Sequence, residues 1–192
     1  SSASAYQKPL EHYLITESTQ LGNPFWEYSR QKIEAEASCM DAYAKHRFPV
    51  TIVRPSLTYD IVIPLIGCWG DFTVIERMRQ GCSVLVHGDG NSLWTITHAE
   101  DFAVGLVGLF GNERAIGEAF YITSDEVLTW NQIYDQVGLA AAVEHVNKVH
   151  VPSDFIVKMV PNLTGSLFGD KAISTVFDNA KFKQFVPSFN AK

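Results

Sequence analysis

The run Val50-Thr-Ile-Val53 is β-branched and apolar, closes against Arg54-Pro55, and follows a long stretch of helical spacing. A strand that is apolar on both faces must be covered on both, as happens inside a parallel sheet flanked by helices. The preceding stretch supplies such a helix. Asn23 followed by Pro24 joins an N-capping side chain to the residue best tolerated in a first turn, so about 22 residues of helix are expected, ending near His46 before Pro49. Ile33, Ala37, Met40 and Ala44 recur at helical spacing and are expected to form its buried stripe. Helix followed by buried strand is the alternation of an α/β sheet.

Further along, Ser83-Val-Leu-Val-His87 reads as a strand entering the turn Gly88-Asp-Gly90. Residues 95–98, 119–123 and 148–151 read as further strands. Helices are expected over 72–79, from Ser153-Asp154, and over 178–185. Thr97-His-Ala-Glu100 has the form of a capping box opening a helix to about Leu109, and Thr129 is expected to cap a helix containing Ile133 and Val137. The apolar segment 60–69, interrupted by Pro64 and Gly67 and followed by Gly70, reads as a loop or lid.

Composition narrows the function classes. A chain of 192 residues with 46% hydrophobic content can bury a substantial core and fits one domain or one domain plus a small lobe. A net charge of −6 without a dense Lys/Arg run argues against nucleic acid as a partner. Cys39, Cys68 and Cys82 have neither disulfide-framework nor zinc spacing, His87 and His98 lack ligand-spaced partners, and no metal site is expected. A reducing cytoplasm is the simplest setting, and the sequon Asn162-Leu-Thr164 is discounted with it. The apolar run 104–110 is short, is broken by two glycines, and falls well below the roughly 18 residues of a membrane helix.

Tyr28 and Lys32 are the strongest pointer to chemistry. Four residues apart on a helix, a phenol and an ammonium share one face, where positive charge favours the phenolate. A free phenol ionises near pH 10, and using one as a base near pH 7 takes about 4 kcal/mol of differential stabilisation. A serine cluster, Ser1, Ser2 and Ser4, stands at the start of the chain.

Four motifs in order resemble the C-terminal part of an extended short-chain dehydrogenase/reductase of the NAD-dependent epimerase/dehydratase type. Ser1-Ser2-Ala-Ser-Ala-Tyr6 resembles its strand-end segment, in which a serine four residues before a tyrosine is catalytic; that counting selects Ser2. Tyr28-x-x-x-Lys32 follows about 26 residues later, Arg54-Pro-Ser-Leu-Thr-Tyr59 resembles the strand end beside the nicotinamide, and Gly88-Asp-Gly90 with Thr97-His-Ala-Glu-Asp101 resembles its turn and following helix. The resemblance implies Tyr28 as general base, Ser2 as donor to the substrate oxygen, and Lys32 as partner of the nicotinamide ribose. It places Tyr28, Lys32, Pro55 and Ser56 at an NAD or NADP cofactor, and Ser4, Leu57 and Trp94 at the substrate, possibly a nucleotide sugar. It also implies a homodimer paired through residues 25–40.

The fold it implies is α/β: the second part of a doubly wound, Rossmann-like parallel sheet from 1–59 and 98–124, with a small substrate lobe from 60–97 and 125–192. Departures from the family pattern are as informative. The glycine-rich turn that holds a pyrophosphate is absent from the sequence, so this stretch alone is expected to bind NAD poorly and to be inactive by itself. The opening segment, without methionine, reads as a strand leaving into a loop and predicts further chain upstream; a sheet without its first strands would expose an edge and an apolar face. Trp94 stands where sugar-nucleotide epimerases usually carry an arginine, and Leu57 where many carry asparagine, leaving Arg77 or Arg79 to meet phosphates. The rival reading is a scaffold, or an RNA-associated relative, that has lost its cofactor site.

Overall fold

The computed structural model describes residues 1–61, 63, 65–67 and 71–191. Of the expected loop at 60–69, Val62, Pro64, Cys68 and Trp69 lie outside the described residues, as does Gly70. The chain order is β1 (Leu14–Ile15), α1 (Glu27–His46), β2 (Ile52–Val53), β3 (Leu57–Tyr59), α2 (Thr73–Arg79), β4 (Val84–His87), β5 (Leu93–Trp94) and β6 (Ile96–His98). It continues with α3 (Ala99–Leu109), β7 (Ala119–Phe120), β8 (Leu128–Thr129), α4 (Trp130–Ala140), β9 (Lys148–Val151), α5 (Ser153–Met159), α6 (Thr164–Ser166), β10 (Val176–Phe177) and α7 (Ala180–Phe185).

The architecture is α/β with parallel pairing dominant. Strand β2 pairs with β7, β3 with β6, β4 with β9, and β1 with β10, all parallel, whereas β5 and β8 are antiparallel. Parallel partners need long crossovers, which is why strands close in space are far apart in sequence. The β2–β7 ladder carries the site: Ile52 N–H donates to Glu118 O at 2.9 Å and Arg54 N–H to Phe120 O at 2.8 Å, fixing the direction in which Pro55 and Ser56 leave the strand.

Three apolar clusters form the interior. Trp94, Trp130, Ile133 and Tyr134 centre one; Phe120, Ile122, Phe182 and Val186 a second; Tyr6, Ile15, Tyr121 and Phe177 a third. Helix α3 approaches the second cluster through glycine: a Cβ at Gly105 would lie 2.6 Å from Ile122. Its outer face leaves Val104, Val107 and Phe110 exposed.

Three local expectations are corrected. Asn23-Pro24 opens a turn rather than the helix, which starts at Glu27; the Asn23 amide is drawn instead to the Ser4 and Gly169 carbonyls, each at 2.8 Å. The Ile33/Ala37/Met40/Ala44 stripe is not the buried face of α1: the fully buried positions are Ser29 and Glu36, while Ala37 and Ala44 are exposed. The Thr97 capping box does not form, because Thr97 Oγ1 accepts from Ser124 N–H at 2.9 Å and the His98 ring caps α3 in its place.

The buried face of α1 follows from charge rather than apolar periodicity. Arg54 and Glu36, each 5% exposed, form a bidentate pair, Nε to Oε1 at 2.9 Å and Nη2 to Oε2 at 2.6 Å. Arg54 Nη1 donates to the Tyr6 hydroxyl at 3.0 Å, and its guanidinium lies over the Tyr6 ring, 5.1 Å from the centroid. Burial works to raise the Glu36 carboxyl, but the hydrogen bonds and charge of Arg54 prevail and hold it below its ordinary 4.5. A carboxylate depressed in the folded state contributes stability that is complete above about pH 4.5 and is lost as pH falls through the folded value. Glu36→Gln is therefore expected to destabilise the protein by roughly 3 kcal/mol at pH 7. In urea unfolding the gap to wild type narrows at pH 4 and below; an equal gap at both pH values would contradict the assignment.

Candidate active site

The serine segment, the start of α1 and the end of β2 converge on one cavity of about 370 Å³. Ser2, Ser4, Tyr28, Pro55, Ser56, Leu57 and Trp94 all line it, so seven of the eight residues singled out in the sequence meet there. The eighth, Lys32, lies outside the lining and sets its ammonium over the Tyr28 ring, 5.1 Å from the centroid. That contact follows from the i, i+4 spacing on α1. Tyr28 is 41% exposed, stands at the cavity rim, and packs at 5.1 Å against the Trp26 ring.

Hydrogen bonding gives the serines a direction. Asn23 Nδ2, which only donates, points to Ser29 Oγ at 3.3 Å; Ser29 Oγ donates to Ser4 Oγ at 2.8 Å; Ser4 Oγ lies 2.9 Å from Ser2 Oγ. Either hydroxyl can donate in that last pair. Ser2 Oγ also accepts from Ser4 N–H at 3.2 Å and lines the cavity. A hydroxyl at this position suits an oxygen that gains negative charge. Ser4, by contrast, is buried and committed to its neighbours.

The opposite end of the chain completes the wall. Asp170, Lys171, Thr175 and Phe177 line the cavity with the residues above, together with Trp26 and Thr58. Sequence reading missed them, because no spacing links positions some 140 residues apart. One signal was present: Gly165 and Gly169, four apart, where α6 and the turn after it approach Trp26. The Lys171 carbonyl anchors this segment, accepting from His87 Nε2 and Trp130 Nε1 at 3.1 Å and from Ser92 Oγ at 3.2 Å. Burial pushes the His87 ring down to about 4, so it is neutral near pH 7 and serves packing. Trp94, 2% exposed, stacks at 5.7 Å on Trp130 and is at once a core residue and part of the wall.

Among the described residues no group of three or more His, Cys, Asp or Glu side chains is placed to hold a metal, and no helix is long and apolar enough to cross a membrane. The Gly88-Asp-Gly90 turn is engaged elsewhere: Asn131 N–H donates to Gly90 O at 2.9 Å and its amide to Asp89 O at 3.0 Å.

Residues 1–122 match the model of the NAD dependent epimerase/dehydratase family. The chain belongs to that family. Among curated proteins it is similar to the Arabidopsis thaliana 3beta-hydroxysteroid-dehydrogenase/decarboxylase isoform 2, at 26% identity over 81% of this chain and 31% of that protein. Among solved structures, a dTDP-glucose 4,6-dehydratase from Bacillus anthracis in complex with NAD superposes with a TM-score of 0.76 at 18% identity, over 100% of this chain and 55% of that one. The UDP-glucuronic acid 4-epimerase of Bacillus cereus, in complex with UDP-glucuronic acid and NAD, gives a TM-score of 0.76 at 18% identity with the same coverage. These likenesses establish the Rossmann-type fold. The chain spans about a third of the curated relative and about half of each solved structure.

The close approach of α6 gives a direct test of the wall. A Cβ on Gly165 would lie 2.2 Å from Trp26 Cδ1. Gly165→Ala is expected to destabilise by about 1–3 kcal/mol and to shift the tryptophan emission as Trp26 is displaced. Unchanged melting and unchanged emission would show that the segment does not press on Trp26.

Proposed function

We propose that this chain supplies the catalytic and substrate-binding portion of an NAD(P)-dependent oxidoreductase of the epimerase/dehydratase type, with a nucleotide sugar as substrate. The observation that carries the reading is the cavity that gathers Ser2, Tyr28, Pro55 and Ser56, with the Lys32 ammonium over the Tyr28 ring. The neighbouring structures named above hold NAD, and one of them holds UDP-glucuronic acid, which supports both cofactor and substrate class.

The residues present fit the nicotinamide end of such a cofactor. Ser2 offers a hydroxyl, Tyr28 a phenol at the rim, and Pro55 and Ser56 a wall where the chain leaves β2. Tyr28, Lys32, Pro55 and Ser56 would hold the nicotinamide and its ribose; for the pyrophosphate there is no glycine-rich cradle among the described residues. When bound, the group supplies a hydride acceptor or donor at the substrate carbon. Tyr28 takes the proton of the substrate hydroxyl, or returns it to a carbonyl. The ammonium of Lys32 stands beside the negative charge that Tyr28 then carries. Ser2 donates to the same substrate oxygen and holds it within reach of the phenol.

In this reading residues 1–59 and 98–124 belong to the cofactor domain, and 60–97 with 125–192 to the substrate lobe. The exposed side of α1 around Ala37, with Phe25 uncovered just before the helix, is the proposed surface for pairing with a second copy through residues 25–40.

Tyr28→Phe in the full-length protein is expected to lower kcat/KM for a nucleotide sugar by about 10²-fold to 10⁴-fold with unchanged melting. Ser2→Ala is expected to lower kcat by about 10²-fold. Activity that survives Tyr28→Phe excludes the phenol as base. Light scattering should show a dimer for the wild-type protein and a monomer for Ala37→Arg; a wild-type monomer removes the pairing surface.

A further inference from the structure

The cavity wall contains an acidic group for which proton transfer at Tyr28 has no use. Asp170, Lys171 and Thr175 line the cavity, and two lysines here are almost wholly buried, Lys171 at 1% and Lys8 at 3% exposure. Lys8 Nζ donates to Thr175 Oγ1 at 3.3 Å, which ties this group to the turn after Tyr6. Burial raises the Asp170 carboxyl above its ordinary value, while the charges of Lys171 and Lys8 oppose the shift. Burial likewise lowers both lysines, against the attraction of Asp170.

Asp170 itself is only partly buried, and no described side chain or backbone N–H donates to its carboxylate. A carboxyl offers several acceptor positions. Asp170 lines the cavity together with Ser2, Tyr28, Ser56, Thr58, Lys171 and Thr175. An apolar ligand pressed against Asp170 would remove its water and return no donor, which is costly for a partly buried acceptor. A ligand carboxylate at the same place would set two acids together. A hydroxyl supplies a donor and no charge.

We propose that Asp170 reads a second hydroxyl of the substrate, so that the cavity selects a hydroxyl-rich, sugar-like molecule over a steroid-like one with a single polar end. The proposal rests on the reading of this cavity as the catalytic site and adds to it a specificity residue on the far wall. It distinguishes between the two kinds of relative found for the chain, a hydroxysteroid dehydrogenase and the sugar-nucleotide enzymes.

The test uses the full-length protein with its cofactor and measures binding rather than turnover. UDP-glucose and its monodeoxy-sugar analogues are titrated by calorimetry and by tryptophan fluorescence, for which Trp26 and Trp94 in the wall are reporters. One analogue is expected to bind about 10- to 100-fold more weakly than the parent sugar in the wild type. Asp170→Asn, which keeps the shape, and Asp170→Ala should shrink that difference several-fold or abolish it while leaving the analogue's own affinity unchanged; melting curves confirm that the variants fold. A purely structural Asp170 would lower the affinity of every ligand alike. That result, or a wild type that binds all the deoxy analogues as tightly as the parent, overturns the proposal and leaves the Tyr28 assignment standing. Binding of a 3β-hydroxysteroid in place of the sugars, or of neither, overturns the proposal and the nucleotide-sugar reading together.

Discussion

One guanidinium ties together the three segments that make the chemical side of the cavity. Arg54 closes β2 immediately before Pro55 and Ser56, pairs with Glu36 on α1, and holds the hydroxyl and ring of Tyr6, four residues after Ser2. A buried arginine demands such partners, since a charge without water must be compensated in full. The compensation also sets geometry. Glu36 follows Tyr28 by eight residues, which on an α-helix is about 12 Å along the axis and about 80° past two full turns. When Glu36 faces inward to Arg54, Tyr28 is therefore rotated to the margin of the buried face, at the cavity rim and not inside the core. Lys32, between them, reaches back over the Tyr28 ring.

The hydroxyl chain from Asn23 through Ser29 and Ser4 to Ser2 depends on the same arrangement. Ser29 is one of the two buried positions of α1, and the other is Glu36, seven residues on and so on the same face. Fixing Glu36 brings Ser29 against the serine segment. Asn23 closes the far end: the two hydrogens of its amide go to the Ser4 and Gly169 carbonyls at 2.8 Å, with Ser29 Oγ farther off at 3.3 Å. A neutral network of this kind needs every member satisfied in order to hold a single orientation.

The sequence made the chemical side legible because its residues lie in short ordered motifs on adjacent elements. The Tyr28–Lys32 spacing survives as a contact, the β-branched run at 50–53 contains β2, and Lys148–Val151 is a strand within the expected limits. What could not be read was decided by distant partners. Asn23 is a good helix cap, yet the Gly169 carbonyl claims its amide from 146 residues away. Thr97 had the right neighbour for a capping box, and Ser124 N–H took its hydroxyl. The apolar spacing of Ile33, Ala37, Met40 and Ala44 was regular, but an ion pair outweighed it in choosing which face of α1 turns inward. Asp170 and Lys171 had no local pattern at all, since their significance arises only where a later turn closes over the serine segment.

The far wall is held by a different set of interactions from the near one. The Lys171 carbonyl accepts from His87, Ser92 and Trp130, Thr175 N–H donates to the Leu93 carbonyl, and Trp94 packs on Trp130. These contacts belong to the apolar cluster around Trp130, whereas Ser2, Tyr28 and Arg54 are organised around the buried ion pair. The family match ends at residue 122, so the near wall lies inside it and Asp170 and Lys171 beyond it. The two walls rest largely on different contacts, so a change at Asp170 or Trp94 reshapes what the cavity accepts while the Arg54–Glu36 pair stays in place. Two hydrogen bonds join them: Asn23 donates to the Gly169 carbonyl, and Lys8, two residues past Tyr6 in sequence, donates to Thr175. A substitution at Lys8 is felt on both sides, at Thr175 and at the turn that follows the serine segment.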